Sequence, residues 1–425
     1  MIAGRLLPIR AGEAPAAAWS FIYFFCVLAA YYLLRPVRDA LAISDGTGDL
    51  PWLFTGTFLA MLLAVPAFAW LAARYPRRLL LPLVYGFFIL DLLLFWGWLA
   101  SGRGEAIAAG AFFIWLSVFN LFVVSVFWSF MADIFSAAQG KRLFALIAAG
   151  GSAGAISGPG LAALLAGQLG VLGLLPLSAG LLTVALGCIV VLRRWAADQI
   201  EADRSRLGGG VWEGVRRITE SRYLQGVALF ILCYTALSTV LYFQQAELVS
   251  RLFDDDARRT QLFAAVDLAT NVVTVGLQLF VTHHLIRRLG LGAALGSLPA
   301  ISLLGFLVLG LVPVIAVLVV FQVLRRSANY AVARPAREAL FTVLPRTDKY
   351  KAKNAIDTLV YRGGDALSGW AYTGLTGLGL GLTGMAFAVL PIATGWLLLS
   401  AWLGRAHTRR YHDVASESFA HGEPP

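Results

Sequence analysis

The sequence predicts an all-α polytopic membrane protein of twelve transmembrane helices in two six-helix halves. Of 425 residues, 59% are apolar and 14% are charged, against roughly 45–50% and about 25% in soluble domains. The mean hydropathy of +0.75 excludes an ordinary soluble enzyme. The apolar stretches are continuous and close to the about 20 residues a helix needs to cross a hydrocarbon core. A membrane β-barrel would instead alternate apolar and polar residues in strands of about ten.

Taken in order, the predicted spans fall near 16–35, 51–73, 79–100, 106–130, 143–166 and 171–192, then 223–248, 261–285, 291–311, 312–333, 355–375 and 384–404. Arg5 and Arg10 precede a first run long enough to span, so it reads as a helix and not a cleavable signal. The expected organisation is a tail at 1–15, a half at 16–192, a linker at 193–222, a second half at 223–404, and a tail at 405–425 that reads as disordered. With the N-terminus inside, only Arg35, Arg38, Arg103, Arg251, Arg258 and Arg259 fall outside, so the positive-inside rule predicts both termini in the cytoplasm of an inner-membrane protein. The linker string Val211-Trp212-Glu213-Gly214-Val215-Arg216-Arg217-Ile218 suits an amphipathic helix on an anionic leaflet.

The basic turn Leu71-Ala72-Ala73-Arg74-Tyr75-Pro76-Arg77-Arg78-Leu79 is echoed by Val281-Thr282-His283-His284-Leu285-Ile286-Arg287-Arg288-Leu289 at the same place in the second half. Two six-span halves with such an echo resemble the major facilitator superfamily. A carrier of that kind works by alternating access, one half rocking against the other.

Cys26, Cys188 and Cys233 lie in apolar runs without CxxC spacing, so neither a disulfide nor a metal site is expected. Gly379-Leu380-Gly381-Leu382-Thr383-Gly384 matches a dinucleotide fingerprint in letters but lacks a βαβ context. With no other catalytic constellation, no enzyme, cofactor or nucleic-acid partner is expected. Gly150, Gly154 and Gly158 recur every four residues, which predicts a stripe where another helix approaches closely.

The informative residues are charges at membrane depth, since each unpaired one costs about 2.5–3.5 kcal/mol at a helix centre. Arg325 and Arg326 lie about 21 Å along the tenth span at 1.5 Å per residue. They either snorkel to the inner surface or line a watery cavity for an anionic substrate. Arg35 and Arg38 are spaced i,i+3 at the outer end of the first span, with Asp39 at i,i+4 from Arg35. The inner end of the tenth span repeats that spacing in Arg334, Arg337 and Glu338. Each set suits either phosphate contacts or a gate pair, or a plain helix-end salt bridge beside a proline. Asp91, Glu247 and Asp267, the last with Asn271 at i,i+4, are candidates for proton coupling or for arginine partners. Asp254-Asp255-Asp256 beside Arg258 and Arg259 reads as an exposed loop.

Several of these strings resemble the ATP/ADP translocases of plastids and intracellular bacteria. Leu34-Arg35-Pro36-Val37-Arg38-Asp39 is similar to that family's L-R-D-T-K-D, and Phe127-Trp128-Ser129-Phe130-Met131-Ala132-Asp133-Ile134 with Lys141-Arg142-Leu143-Phe144 to its F-W-x-F-x-N-x-I and K-R-F-Y. Arg334-Pro335-Ala336-Arg337-Glu338 is similar to D-P-A-K-E, and Lys349-Tyr350-Lys351-Ala352-Lys353-Asn354-Ala355-Ile356-Asp357 to K-V-K-G-K-A-A-I-D. Asp267 stands where the family has its G-D-F aspartate.

The resemblance implies Arg337, Lys351 and Lys353 as phosphate contacts at the cytoplasmic mouth, with Asp133 and Asp357 pairing with basic residues or gating the path. Gln244 and Gln245 replace the family's glutamate, and Glu247 is shifted, a departure that allows another anionic cargo. The expectation is therefore a monomeric secondary carrier in the lipid bilayer for a nucleotide or related phosphorylated anion, acting by exchange. Arg35, Arg38, Arg325, Arg326, Arg337, Lys351 and Lys353 would bind substrate, while Asp39, Asp133, Asp267, Glu338 and Asp357 would gate or couple. The alternative is a carrier or flippase for a lipid, drug or other organic anion, whose arginines would be paired with acids.

Overall fold

The computed structural model describes residues 10, 12–75, 77–196, 211–345 and 352–420; among them the secondary structure is helical, without strands. In chain order the helices are α1 (Ala14–Leu41), α2 (Leu50–Arg74), α3 (Arg77–Ala100), α4 (Glu105–Ile134), α5 (Ala137–Ala196), α6 (Val211–Glu220), α7 (Arg222–Leu252), α8 (Asp256–Phe280), α9 (Thr282–Leu311), α10 (Ile315–Ala328), α11 (Arg334–Ala339), α12 (Tyr361–Gly377), α13 (Leu382–Ala388) and α14 (Leu390–Ala420). Ten of the described helical segments are long and apolar enough to cross a bilayer. One of these, in α5, contains both predicted spans five and six and is divided between them at Gly170 (φ 67°, ψ 169°), a backbone conformation that glycine alone adopts readily. The predicted eleventh span corresponds to the π-turn Ile356–Val360 and the 17-residue α12. Leucines and phenylalanines such as Leu63 and Phe280, each 74% exposed, supply an apolar outer surface suited to lipid. The chain is an integral multi-pass membrane protein.

Two compact units divide the chain. The first comprises Met1–Asp49, Leu59–Arg206 and Ser250–Asn271, the second Leu50–Phe58, Leu207–Val249 and Val272–Pro425.

In the first unit α1 lies along α5, and the glycine stripe is what lets it. A Cβ at Gly154 would overlap the Phe25 carbonyl oxygen, and one at Gly158 would come within 2.6 Å of the Ala29 oxygen. Within α5, Pro159 has no N–H and its ring pushes away the carbonyl four residues earlier, that of Ala155. Asn271 Nδ2 donates to this freed oxygen at 2.6 Å, which gives the Asp267–Asn271 pair singled out by spacing a packing role for its second member. Asp91 accepts from Trp115 Nε1 at 2.8 Å, joining α3 to α4.

The start of α5 carries a capping box: Ser136 N donates to Gln139 Oε1, and Gln139 N donates to Ser136 Oγ. Glu13, just before α1, accepts both Arg142 Nη groups at 3.0 and 2.8 Å and the Arg10 amide at 3.0 Å. The Arg142 hydrogen bonds, then the Arg10 amide, hold the Glu13 carboxyl down to about 2 from its ordinary 4.5. A depressed folded value means the tie stabilises fully above pH 4.5 and is lost as pH falls toward about 2. Glu13→Gln is therefore expected to lower the melting temperature by a constant amount near neutral pH, with a gap to wild type that closes on acidification. Melts of the two detergent-purified proteins across that range check it; a gap unchanged at pH about 2 would contradict the assignment.

The segment Asp254-Asp255-Asp256 with Arg258 and Arg259 is not simply an exposed loop. Arg259 is 6% exposed and donates to the carbonyls of Ile43 and Phe253 and to Asp256. Backbone acceptors, one of them the distant Ile43 carbonyl, draw it inward.

In the second unit, α10 passes into a π-turn, Asn329–Ala333, immediately before Arg334-Pro335. The cause is again proline: Pro335 displaces the Ala331 carbonyl, which accepts from Thr282 Oγ1 at 2.9 Å instead. The tail reading is corrected as well, because α14 continues through Arg405 to Ala420. A helix nucleated by the packed segment from Leu390 propagates into polar sequence. Arg410 then lies 4.7 Å from the centre of the Tyr223 ring, which anchors the extension.

Candidate functional site

The second unit contains a buried polar centre. From α7 come Tyr234, Ser238 and Gln245; from α10 and its π-turn come Gln322, Arg325 and Asn329. These positions are spaced i, i+4, i+11 on one helix and i, i+3, i+7 on the other, so each set shares a face. Gln322 Nε2 donates to Gln245 Oε1 at 2.6 Å, and Asn329 Nδ2 to the Tyr234 hydroxyl at 3.2 Å. Gln244, also buried, donates to the Leu382 carbonyl.

Arg325 is 3% exposed and Arg326 9%. Neither side chain snorkels into solvent. Arg325 Nη2 donates to Ser238 Oγ at 3.0 Å, and its guanidinium carbon lies 5.8 Å from the Tyr234 ring centre, at the limit of a cation–π contact. Its Nε and Nη1 are buried and have no acceptor among the described residues, where no carboxylate pairs with it either. Leaving a buried donor unmade costs about 1–3 kcal/mol, and this centre has two such donors on one cation. Gln322 Oε1 is likewise buried without a donor among the described residues. Ser238, Tyr234, Gln322 and Asn329 were not singled out by the sequence reading, although a polar stripe at helical spacing on apolar helices is the signal that reveals them.

In the first unit Arg35 and Arg38 are differently placed. Arg35 Nη1 pairs with Asp267 Oδ1 at 3.4 Å, and Arg38 Nη2 with Asp39 at 2.6 Å. Arg38 also lies over the Phe113 ring, 4.6 Å from its centre. The i,i+4 spacing thus does not describe the contact of Asp39 with Arg38, and Asp267 is brought to Arg35 from a distant helix. Asp133 is half-buried near the end of α4.

Near the end of the π-turn, Arg337 and Glu338 are half-buried and Glu338 is ion-paired with Lys353, while Asp357 is exposed. Lys351 lies outside the described residues. Arg362, in α12, sits 3.8 Å from Asp365, whose other oxygen accepts from Thr239 at 3.4 Å.

The helical fold is of the major facilitator type. Solved structures with this fold include the nucleoside transporter NupG (TM-score 0.68, 12% identity, 92% of this chain and 99% of that one) and the POT family transporter PepTSo (TM-score 0.62, 14% identity, 93% and 98%). A bacterial homologue of the lysosomal transporter Spinster, in an inward-facing and unoccupied conformation, aligns at a TM-score of 0.56 with 12% identity, over 98% of this chain and 99% of that one. By sequence the chain is weakly homologous to ADP,ATP carrier protein 1 of Chlamydia muridarum and of Chlamydia trachomatis, 22% identical to each over 94% of this chain and 90% of theirs. No protein-family model matches it. Homology and fold together support a transporter.

Proposed function

We propose that the chain is a secondary transporter for a nucleotide or a related phosphorylated anion, working by alternating access and by exchange in the inner membrane, with both termini cytoplasmic. The observation that carries this reading is Arg325: a buried guanidinium with two N–H donors that the described protein residues leave unmet. Oxygens of a phosphate match those donors in charge and geometry. The weak homology to ADP,ATP carriers supports a nucleotide as the cargo.

In this reading Arg326 adds field to the same centre. Arg35 and Arg38 rest on Asp267 and Asp39 and exchange those carboxylates for phosphate when cargo arrives. Arg337, Lys351 and Lys353 form the cytoplasmic mouth, with Glu338 holding Lys353 in the absence of substrate and Asp133 and Asp357 gating. A second reading, a carrier or flippase for a lipid or another organic anion, is favoured by the Arg35–Asp267 and Arg38–Asp39 pairs. It leaves the Arg325 donors unexplained.

Uptake of labelled ATP and ADP into proteoliposomes distinguishes the two. Uptake is expected, accelerated by unlabelled nucleotide inside the vesicle. Failure of every nucleotide to enter, with or without internal nucleotide, would leave the second reading in possession of the fold.

A further inference from the structure

A groove of about 950 Å³ runs between α9 and α14, within the second unit and apart from the Arg325 centre. Its walls are Gly292, Gly296 and Ala300 on one helix and Leu397, Ala401 and Gly404 on the other. A Cβ at Gly404 would overlap Gly292 Cα, so bare backbone meets bare backbone where the helices touch. Gly290 (φ 78°, ψ 175°) breaks α9 at that end of the groove and lines it. Leu398 and Leu304, 68% and 62% exposed, belong to the same two helices and show that their outer faces are apolar.

The same end of the groove is cationic. Arg405, Thr408 and Arg409 line it, the two arginines one helical turn apart. Both are exposed, as are Arg287 and Arg288, three and two residues before Gly290. Among the described residues none of these four arginines has a carboxylate partner. The groove therefore offers an apolar trough that ends in cations lacking a counter-charge.

We propose that this groove binds one anionic glycerophospholipid, its acyl chain lying along the glycine and alanine wall and its phosphate at Arg405 and Arg409. A helix of a second copy would fill the trough but would leave the cations unanswered. A zwitterionic lipid would bring its own cation to them.

The experiment is native mass spectrometry of the delipidated full-length protein in detergent, titrated with phosphatidylglycerol and with phosphatidylcholine. Wild type is expected to take up one phosphatidylglycerol in preference to phosphatidylcholine. At about 1 kcal/mol per basic residue near anionic headgroups, Arg405→Gln with Arg409→Gln is expected to weaken phosphatidylglycerol roughly thirtyfold and to leave phosphatidylcholine unchanged. Ala401→Phe, which fills the trough, is expected to weaken both lipids. Equal affinity for the two lipids in wild type overturns the proposal, as does phosphatidylglycerol binding that neither variant moves. A dimer that Ala401→Phe dissociates also overturns it, by giving the groove to a second copy.

Discussion

Arg325→Gln is expected to weaken nucleotide binding by roughly a hundred- to ten-thousandfold while leaving the protein at least as heat-stable as wild type. The first half follows from the two buried N–H donors, each of which would make a charge-assisted bond worth about 1.5–3 kcal/mol to a phosphate oxygen. The second half follows from the empty protein. There the guanidinium is desolvated, held by one bond to Ser238 and balanced by no carboxylate among the described residues. Removing an uncompensated buried charge relieves its desolvation penalty. A structural arginine would behave oppositely, losing stability on replacement. Thermal melts with and without ATP read both quantities at once: wild type gains stability from the ligand, and the variant gains little. A variant that melts well below wild type and still responds fully to ATP would assign Arg325 to scaffolding.

The Arg325 centre was half legible in the sequence. Two arginines deep in an apolar span announce a site, because insertion penalises them. What surrounds them did not announce itself. Ser238 and Tyr234 lie on another helix more than eighty residues away, and nothing in one chain's letters pairs α7 with α10. The Arg35 cluster shows the same limit from the other side: the i,i+4 spacing of Arg35 and Asp39 was visible, but the ion pair of Arg35 with Asp267 is brought by the fold. Arg259 was misread for a related reason. A run of three aspartates beside two arginines has the composition of a solvated loop, yet Arg259 is satisfied largely by backbone carbonyls, which have no signature in sequence. Proline accounts for two of the ties between helices. Pro159 and Pro335 each free a carbonyl four residues back, and in each case a polar side chain from another helix, Asn271 or Thr282, is found donating to it. The helical tail beyond Arg405 was missed because composition reports on isolated segments, whereas this one inherits its helix from the packed residues before it.

Gly154→Ala is expected to destabilise the first unit by about 3 kcal/mol or more, the upper end of overpacking effects, because the atoms in the way are backbone. The new methyl would overlap the Phe25 carbonyl oxygen and lie 2.9 Å from the Ala29 amide nitrogen, and neither can rotate aside. Separating α1 from α5 is the remaining response, and it strips contacts along both helices. Gly160→Ala provides the control. It changes the same residue type in the same helix, and a Cβ there meets nothing within 4 Å. Helix propensity alone then makes that variant neutral or more stable by about 0.5–1 kcal/mol. The two glycines are six residues apart, which at 100° per residue places them on well-separated faces of α5. Identical substitutions are thus expected to have opposite signs according to helical phase. Detergent-solubilised melts followed by size-exclusion chromatography compare them directly. Equal melting temperatures for the two variants would mean that the stripe at Gly150, Gly154 and Gly158 does not set the distance between α1 and α5. In that case the first unit would have to be held mainly by its polar ties, Glu13 to Arg142, Arg35 to Asp267 and Asn271 to the Ala155 carbonyl.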